Sequence, residues 1–363
     1  MKNKQTLILI IILIFLIIVS AGFVGYTIFT KQNKTVSNLE NNNQEHEEKN
    51  SPIVVEEKEP KIFQGNDRPI AVMIDNHTGA WPQAGLNKAY LVYEIIVEGG
   101  ETRLMALFKS QDIDKIGPVR SSRHYFLDYA LENEAIYVHF GWSPQAESDI
   151  ATLGVNNING ISESSSSFWR ARDKSSPHNV VTSTEKILKI VERKGYRTAS
   201  EQESILNYTA NDITLEEGIN ATSVIIPHST SQKVEYKYNE ETGKYTRYAR
   251  NKLQTEWYKE EDVVTKNIII TFCDNYNLND VENKGRQGLY NIGEFQGYYI
   301  TNGKAIEITC IKSSRTSQTV YKDLNGNEIE VNDGNTFIHI CPKDANVTIK
   351  PGIQENIETE NQE

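Results

Sequence analysis

Cysteine is scarce in this chain, with three residues among 363. Cys273, Cys310 and Cys341 show none of the C-x-x-C spacings typical of zinc or redox sites, and so few thiols exclude a disulfide scaffold. Each cysteine lies in an apolar, strand-like run, which predicts buried free thiols. A single disulfide with one thiol left over is the alternative.

Positive charge is also in deficit. Lys and Arg number 38 against 49 Asp and Glu, a formal net charge of −11. Proteins that bind DNA or RNA through general electrostatics need a net-basic face, so no nucleic-acid partner is expected. The hydrophobic fraction of 38% is typical of a globular protein. At about 100–200 residues per domain, the length allows two domains.

Long apolar runs are rare, and one stands near the N-terminus. Residues 7–29 contain no charged residue, and about 20 apolar residues of helix cross a bilayer. No later run is long enough to return, so we predict a single-pass membrane anchor in residues 1–30, with the bulk of the chain extracytoplasmic. A cleaved signal peptide is the alternative, although its apolar region is ordinarily shorter. Residues 31–65 and 351–363 are polar and predict a disordered tether and tail.

Residues 66–205 alternate strand-type apolar runs with helical patterns, which predicts an α/β domain. Thr182 stands three residues before Glu185, the spacing of a capping box at a helix N-terminus. The predicted strands cover residues 69–74, 90–96, 103–109 and 135–140, and the predicted helices cover 121–132, 143–153 and 183–194.

Residues 206–350 contain short β-branched and aromatic runs separated by turn residues, which predicts a mostly β domain with a sandwich or barrel of its own. Asn302-Gly303 and Asn325-Gly326 predict type I′ hairpins, because both central residues of that turn need positive φ. The predicted strands cover residues 267–272, 297–301, 305–311 and 336–340.

Arginine, histidine and amide residues concentrate in loops and at strand ends of the α/β segment. Ligands of α/β sheets bind at the carboxyl ends of strands, and the arginine fork matches carboxylates and phosphates. Helix N-termini predicted at Ser121 and Ser143 would add N–H donors. We therefore predict an anion-binding cleft shared with His139 and His178; separate surface ion pairs are the alternative. The predicted ligand-binding residues are Asn76, Arg103, Arg120, Arg123, Arg172 and Asn179.

Enzyme chemistry has candidates in the same segment, although nothing in the spacing fixes their distances, so enzymatic activity stays open. Metal ligation by His77, His139 and His178 with Asp75 is the alternative, but the chain has no HExxH-type spacing and no cofactor motif, so we expect neither a metal nor a cofactor. The candidates for general acid–base chemistry are His139, His178, Asp75, Glu98 and Glu101.

Several segments carry a family resemblance: RPIAVMIDNH at 68–77, PQAGL at 82–86, YEIIVEGGETR at 93–103, GPVRSSR at 117–123, PHN at 177–179, GKAI at 303–306 and residues 323–339. They resemble the YerB family of bacterial envelope proteins, a lipoprotein-like family of undetermined function. The resemblance implies two family domains, an extracytoplasmic location and no established reaction. The chain departs from the family in having no cysteine before Cys273 that could carry a lipid.

Two hypotheses about function follow. The first is a membrane-anchored, extracytoplasmic accessory protein of the cell envelope that binds peptidoglycan, an anionic wall polymer or an envelope protein. The alternative is a cell-envelope hydrolase or transferase that acts on a glycan or phosphodiester bond. A purely structural spacer is a third possibility.

Overall fold

The computed structural model describes residues 59–258 and 261–351. The predicted anchor in residues 1–30, most of the predicted tether and nearly all of the predicted tail lie outside these residues. Within the two described ranges, no helix is long and apolar enough to cross a membrane.

The secondary structure is largely β, with three α-helices in the described part of the chain. The elements of the first segment are β1 (Ile70–Asp75), β2 (Leu91–Ile96), β3 (Thr102–Phe108), α1 (His124–Glu132), β4 (Ile136–His139), α2 (Pro144–Thr152), β5 (Asn157–Asn159), β6 (Trp169–Arg170), β7 (Val180–Val181) and α3 (Thr184–Lys194). Short 3-10 helices occupy Thr78–Ala80, Leu86–Lys88, Glu98–Gly100 and Gly160–Ser162.

The second segment is β-rich, as predicted, and contains only strands among its described residues. These strands are β8 (Asn207–Thr209), β9 (Ile219–Asn220), β10 (Ser223–Pro227), β11 (Lys233–Asn239), β12 (Lys244–Ala249), β13 (Lys252–Leu253), β14 (Val264–Thr265), β15 (Asn267–Cys273), β16 (Asn275–Asn277), β17 (Gln287–Leu289), β18 (Gly293–Thr301), β19 (Lys304–Lys312), β20 (Val320–Lys322), β21 (Glu330–Asn332), β22 (Thr336–Pro342) and β23 (Thr348–Lys350).

Strands from both segments form one long sheet, in the order β20-β19-β18-β15-β22-β2-β3-β1-β4-β5, with β9 paired to β19. The segments meet where β2 and β22 pair in parallel and Glu94 lies opposite His339. Strands β10 to β14 and β23 form a second sheet. The remaining strands of the second segment form two-stranded sheets, β16 with β17 and β8 with β21, so its strands are divided among four sheets rather than closed into one barrel. The predicted domain limits of 66–205 and 206–350 stay predictions.

The two faces of the long sheet bury different partners. Val72 and Ile74 of β1 pack with apolar residues of α3 and of the second sheet. Ala71 and Met73 point to the opposite face and pack with apolar residues of α1 and α2. This alternation is the period of two that a strand imposes on its side chains, and it explains why β1 is apolar on both faces.

The predicted helix at 121–132 begins later than expected, at His124. Residues 119–122 are held in an extended segment by the sheet instead. The Arg120 N–H donates to the Met73 carbonyl at 2.9 Å, and the Phe140 N–H donates to the Arg120 carbonyl at 3.0 Å. The prediction of a helix N-terminus at Ser121 was therefore wrong. The helix N-terminus predicted at Ser143 was right, because the Ser143 hydroxyl accepts a hydrogen bond from the Ala146 N–H at 3.2 Å at the start of α2.

Local turn and cap signals were partly correct. Asn302 and Gly303 both have positive φ, at 48° and 71°, and connect β18 to β19 as the predicted two-residue hairpin. At Asn325-Gly326 only the glycine has positive φ, and the turn is longer because the Asp323 carboxylate accepts from two backbone N–H groups. The N-cap of α3 is Ser183 rather than Thr182.

The three cysteines are free and buried, as the apolar runs around them predicted. Burial raises the pKa of the Cys273 and Cys310 thiols to about 12. These thiols are therefore protonated and unreactive at neutral pH.

Candidate functional site

The candidate site lies where β1 and β4 separate at their carboxyl ends. The two strands pair in parallel only up to Val72 and Val138. Beyond that point the extended segment containing Arg120 enters between them and hydrogen-bonds to both. Ligands of such sheets usually bind where neighbouring strands diverge at their carboxyl ends, and Asp75 ends β1 at that place.

Strand β7 brings the loop that contains His178 to the same place. The Val119 N–H donates to the Val180 carbonyl at 2.6 Å. This close approach requires glycine at 117, because a Cβ there would lie 2.9 Å from the Val180 oxygen and the residue has a φ of +141°. Residues far apart in sequence therefore converge on Asp75.

Asp75 is the centre of the first group of contacts and is 3% exposed. Its Oδ2 atom lies 2.7 Å from His178 Nδ1 and 3.3 Å from Arg120 Nε. Its Oδ1 atom accepts from the His77 N–H at 3.0 Å. The carboxylate thus orients one imidazole and one guanidinium that both reach the surface, with side-chain exposures of 19% and 25%.

His77 and His178 stack on each other. Their ring centroids are 4.2 Å apart and their planes differ by 11°. The pair closes over Gly79, where a Cβ would lie 3.1 Å from His178 Cδ2 and 3.3 Å from His77 Nδ1. A larger residue at position 79 would push the rings apart.

Glu98 is the centre of the second group. It forms a bidentate ion pair with Arg123, at 2.5 Å to Nε and 2.9 Å to Nη2. Arg103 Nη2 lies 4.0 Å from Glu98 Oε2, and Arg103 Nη1 donates to the Ser121 carbonyl at 2.5 Å. Arg103 also lies opposite Asp75 in the β1–β3 register, which joins the two groups.

Together these residues form a cationic surface that we call the Arg/His cluster: Arg103, Arg120, Arg123, His77 and His178, with the carboxylates Asp75 and Glu98. Three guanidinium groups face two carboxylates, which leaves one positive charge in excess. Burial and the like charges of Arg123 and Arg120 lower the pKa of Arg103 to about 10, against the opposing effect of Glu98. Burial is the largest of these effects, so the Arg103 guanidinium is poorly solvated and lies beside two like charges.

The two predicted amides have structural partners. Asn76 is fully buried; its Nδ2 donates to Glu94 and Thr102, and its Oδ1 accepts from Trp81 and Gln83. Asn179 donates from Nδ2 to two carbonyls of its own loop and accepts from Arg170 at 2.8 Å. Both side chains brace the backbone around the Arg/His cluster rather than face solvent.

Three other predicted residues do not join the cluster. His139 is fully buried, with Nδ1 2.9 Å from the Gly141 carbonyl and Nε2 3.2 Å from Asn157 Oδ1, and burial lowers its pKa. Its placement in a shared cleft was wrong, because both ring nitrogens are used inside the fold. Glu101 pairs with Arg250 of the second segment. Arg172 is exposed, with no ion pair in the described ranges.

A cavity of about 480 Å³ lies at the opposite end of β1 from Asp75. It is lined by Ile70, Phe108 and Leu188 among others, and includes none of the predicted site residues. The Arg/His cluster is thus a surface on the rim of the sheet, and the predicted cleft around it stays a prediction.

A second polar cluster lies inside the protein, at the junction of β2 and β22 with the second sheet. We call it the Glu94 cluster: Glu94, Arg247, His228 and His339, each at most 1% exposed. Arg247 Nη2 lies 2.5 Å from Glu94 Oε2, and His228 Nε2 lies 3.0 Å from His339 Nδ1. Burial alone would raise the pKa of Glu94, but Arg247, His228, His339 and the Thr102 hydroxyl together outweigh burial and lower the pKa to about 2.

Part of this cluster resembles a metal-ligand set. Glu94, His228 and His339 offer ligand atoms within 4.8 Å of one another. Arg247 already neutralises the Glu94 carboxylate, so a divalent ion would leave two positive charges in excess in a closed interior. The charges therefore favour a hydrogen-bonded network over a metal centre.

Sequence reasoning considered His77 only as a metal ligand, and it did not single out any member of the Glu94 cluster as a binding or structural polar centre. A signal was present for two of them. Glu94 is the carboxylate of β2 and His339 is the imidazole of β22, two strands whose other positions are almost all apolar and buried. A polar residue inside such a strand needs a buried partner.

Comparison with known proteins identifies the family. Residues 56–197 match the N-terminal domain, and residues 224–338 the C-terminal domain, of the family described as "Protein of unknown function (DUF3048)". A Bacillus subtilis (strain 168) protein named "Putative lipoprotein YerB" is 32% identical over 283 residues, which cover 76% of this chain and 81% of that protein. A crystal structure of the YerB protein from Bacillus subtilis matches with a TM-score of 0.69 and 31% identity, covering 78% of this chain and 94% of that one. The resemblance to YerB is confirmed, and the chain belongs to the DUF3048 family.

Proposed function

We propose that this protein is a membrane-anchored, extracytoplasmic accessory protein of the cell envelope whose Arg/His cluster binds an anionic ligand. The envelope location is supported by the lipoprotein name of the Bacillus relative and by the apolar run at residues 7–29. The ligand classes that fit are a phosphate-bearing wall polymer, peptidoglycan carboxylates and an acidic partner protein.

Arg120 carries the proposal. Its Nε atom is held by Asp75, whereas its two terminal nitrogens have no hydrogen-bond partner among the described residues, and its side chain is 25% exposed. A guanidinium fixed at one nitrogen and open at the other two is arranged for bidentate contact with an anion. An anion there would also offset the excess positive charge that Arg103 and Arg123 contribute.

We expect Arg120→Ala to weaken the binding of inorganic phosphate about 10- to 100-fold, since a charge-assisted contact is worth about 1.5–3 kcal/mol. Isothermal titration of the full chain with phosphate, and with isolated wall polymer, measures this loss. Arg193→Ala is the matched control, because Arg193 is an exposed arginine of α3 paired with Glu163. Equal affinities for both variants would refute the assignment of Arg120.

The location has a separate test. Protease added to intact protoplasts should remove everything beyond the tether and leave a short membrane-bound fragment, because the chain has no second apolar run that could return it across the bilayer. An antibody against the N-terminal residues would detect the fragment. Full protection of the chain would contradict an extracytoplasmic location.

A further inference from the structure

We propose that His178 and His77 act together as a proton acceptor and a hydrogen-bond donor that hydrolyse phosphodiester bonds in the anionic ligand. This activity rests on the proposed anion binding by the Arg/His cluster and goes beyond it. It follows from the protonation pattern that the contacts impose on the two stacked rings.

His178 presents an unprotonated nitrogen. Its Nδ1 atom lies 2.7 Å from Asp75 Oδ2, and an ionised carboxylate only accepts hydrogen bonds, so Nδ1 carries the proton. In the neutral ring Nε2 then has a free lone pair. Among the described residues Nε2 has no hydrogen-bond partner, and the side chain is 19% exposed. Nε2 is therefore available to accept a proton from water.

His77 presents the opposite pattern. The Gly79 N–H donates to His77 Nδ1 at 3.1 Å, and a backbone N–H has no acceptor role, so this Nδ1 must be unprotonated. The neutral ring then carries its proton on Nε2. The stacked pair thus offers one proton acceptor and one hydrogen-bond donor, beside the open nitrogens of Arg120.

The arrangement is suited to attack of water on a phosphodiester. Water loses a proton to His178 Nε2 as its oxygen forms a bond to phosphorus, and the bond from phosphorus to the leaving oxygen breaks. The leaving oxygen takes a proton from solvent, and His178 later releases its proton to solvent. Arg120 and His77 Nε2–H donate to the non-bridging oxygens, where charge develops. The products are a phosphomonoester and an alcohol, and no oxidant or reductant is needed.

Asp75 is a positioning residue in this scheme. It fixes the tautomer of His178 and stabilises the imidazolium that forms when His178 takes the proton, as the carboxylate does in other carboxylate–histidine pairs. Its second contact, with Arg120 Nε at 3.3 Å, sets the guanidinium next to the same imidazole. One carboxylate therefore aligns the proton acceptor with the anion-binding group.

The test uses bis(4-nitrophenyl) phosphate with the full chain purified in mild detergent. We expect release of 4-nitrophenolate, with kcat lowered about 10²- to 10⁴-fold by His178→Gln, the usual contribution of a general base. Inorganic phosphate should still bind His178→Gln within about threefold, because the lone pair on Nε2 does not contact an anion. The rate should fall on the acid side of the wild-type pH profile, because a protonated imidazole accepts no proton.

Asp75→Asn is the second variant and keeps both rings. It should lower kcat and change the acid limb of the pH profile, which a merely structural effect would not do. Arg193→Ala should retain the wild-type kcat. Phosphate binding without turnover by the wild type, or full turnover by His178→Gln, would overturn the catalytic role and leave the proposed binding intact. Failure of phosphate to bind at all would overturn the anion site itself.

Discussion

Replacing Arg247 by methionine should lower the free energy of unfolding by about 3–5 kcal/mol, the usual loss when one partner of a buried ion pair is removed. Arg247 and Glu94 are both fully buried and lie 2.5 Å apart. Methionine fills much of the same volume, so the loss arises from the Glu94 carboxylate that stays behind without its counter-charge. The pair also joins β12 of the second sheet to β2 of the long sheet, so its loss weakens the contact between the sheets.

Urea unfolding followed by tryptophan fluorescence measures this change. The double variant Glu94→Gln with Arg247→Met should recover part of the loss, because no unpaired charge remains. Lys189→Ala is a matched control that breaks an exposed ion pair with Glu185 within α3, and it should leave the unfolding midpoint where it is. A double variant as unstable as Arg247→Met would show that packing, rather than the unpaired carboxylate, causes the loss.

Lowering the pH from 7 to 5 should destabilise the protein. Burial lowers the pKa of His228 and His339 in the folded state, whereas the unfolded chain titrates near the ordinary value of 6.5. Below that value the unfolded state binds more protons than the folded state, so stability falls as the pH falls. Each histidine can contribute at most about 2 kcal/mol over this range, the limit reached when only the unfolded state takes up the proton. His124 and His139, whose pKa values burial also lowers, act in the same direction.

The groups that face His228 and His339 determine whether another titration could mask this loss of stability. Glu94 from β2, Arg247 from β12 and Tyr236 from β11 surround them, and Cys341 lies close to Glu94. The lowered pKa of Glu94 gives stability that is lost only below its unfolded value of 4.5, so it does not mask the histidines above pH 5.

His339→Gln tests the assignment. Glutamine removes the titration and retains hydrogen bonding, so the free energy of unfolding should depend less steeply on pH between 7 and 5. Urea midpoints measured at half-unit pH steps give the slope. If the slope of unfolding free energy against pH were unchanged, groups other than His339 would be responsible for the proton uptake.

The buried strands and most of the Arg/His cluster were predictable from sequence. Strands β1, β2 and β3 are mostly apolar runs, and the structure places them within one or two residues of the predicted limits. Asp75 and Arg120 stand directly after such runs or in the next loop, and chain geometry brings the ends of adjacent strands together. Local pattern was sufficient there because each residue is positioned by the element it follows.

Features that depend on distant pairing were not predictable. The helix expected from residue 121 gives way to extended backbone, because hydrogen bonds to Met73 and Phe140 replace the first helical turn. The order of strands in the long sheet also cannot be read from the hydrophobic periodicity of the sequence. That periodicity shows which face of a strand is buried but does not show which strands pair with it. Glu94 and Arg247 are 153 positions apart, so neither residue marks the other in the sequence.

The parallel pairing of β2 with β22 has a consequence for how the protein is made. The ribosome delivers β2 (Leu91–Ile96) long before β22 (Thr336–Pro342), so this edge of β2 stays unpaired while the residues between them are synthesised. Topologies with such high contact order fold slowly, and an unpaired apolar edge invites pairing with another chain. We therefore expect newly made protein to depend on a chaperone, or on transport across the membrane in an unfolded form, until β22 is available to pair with β2.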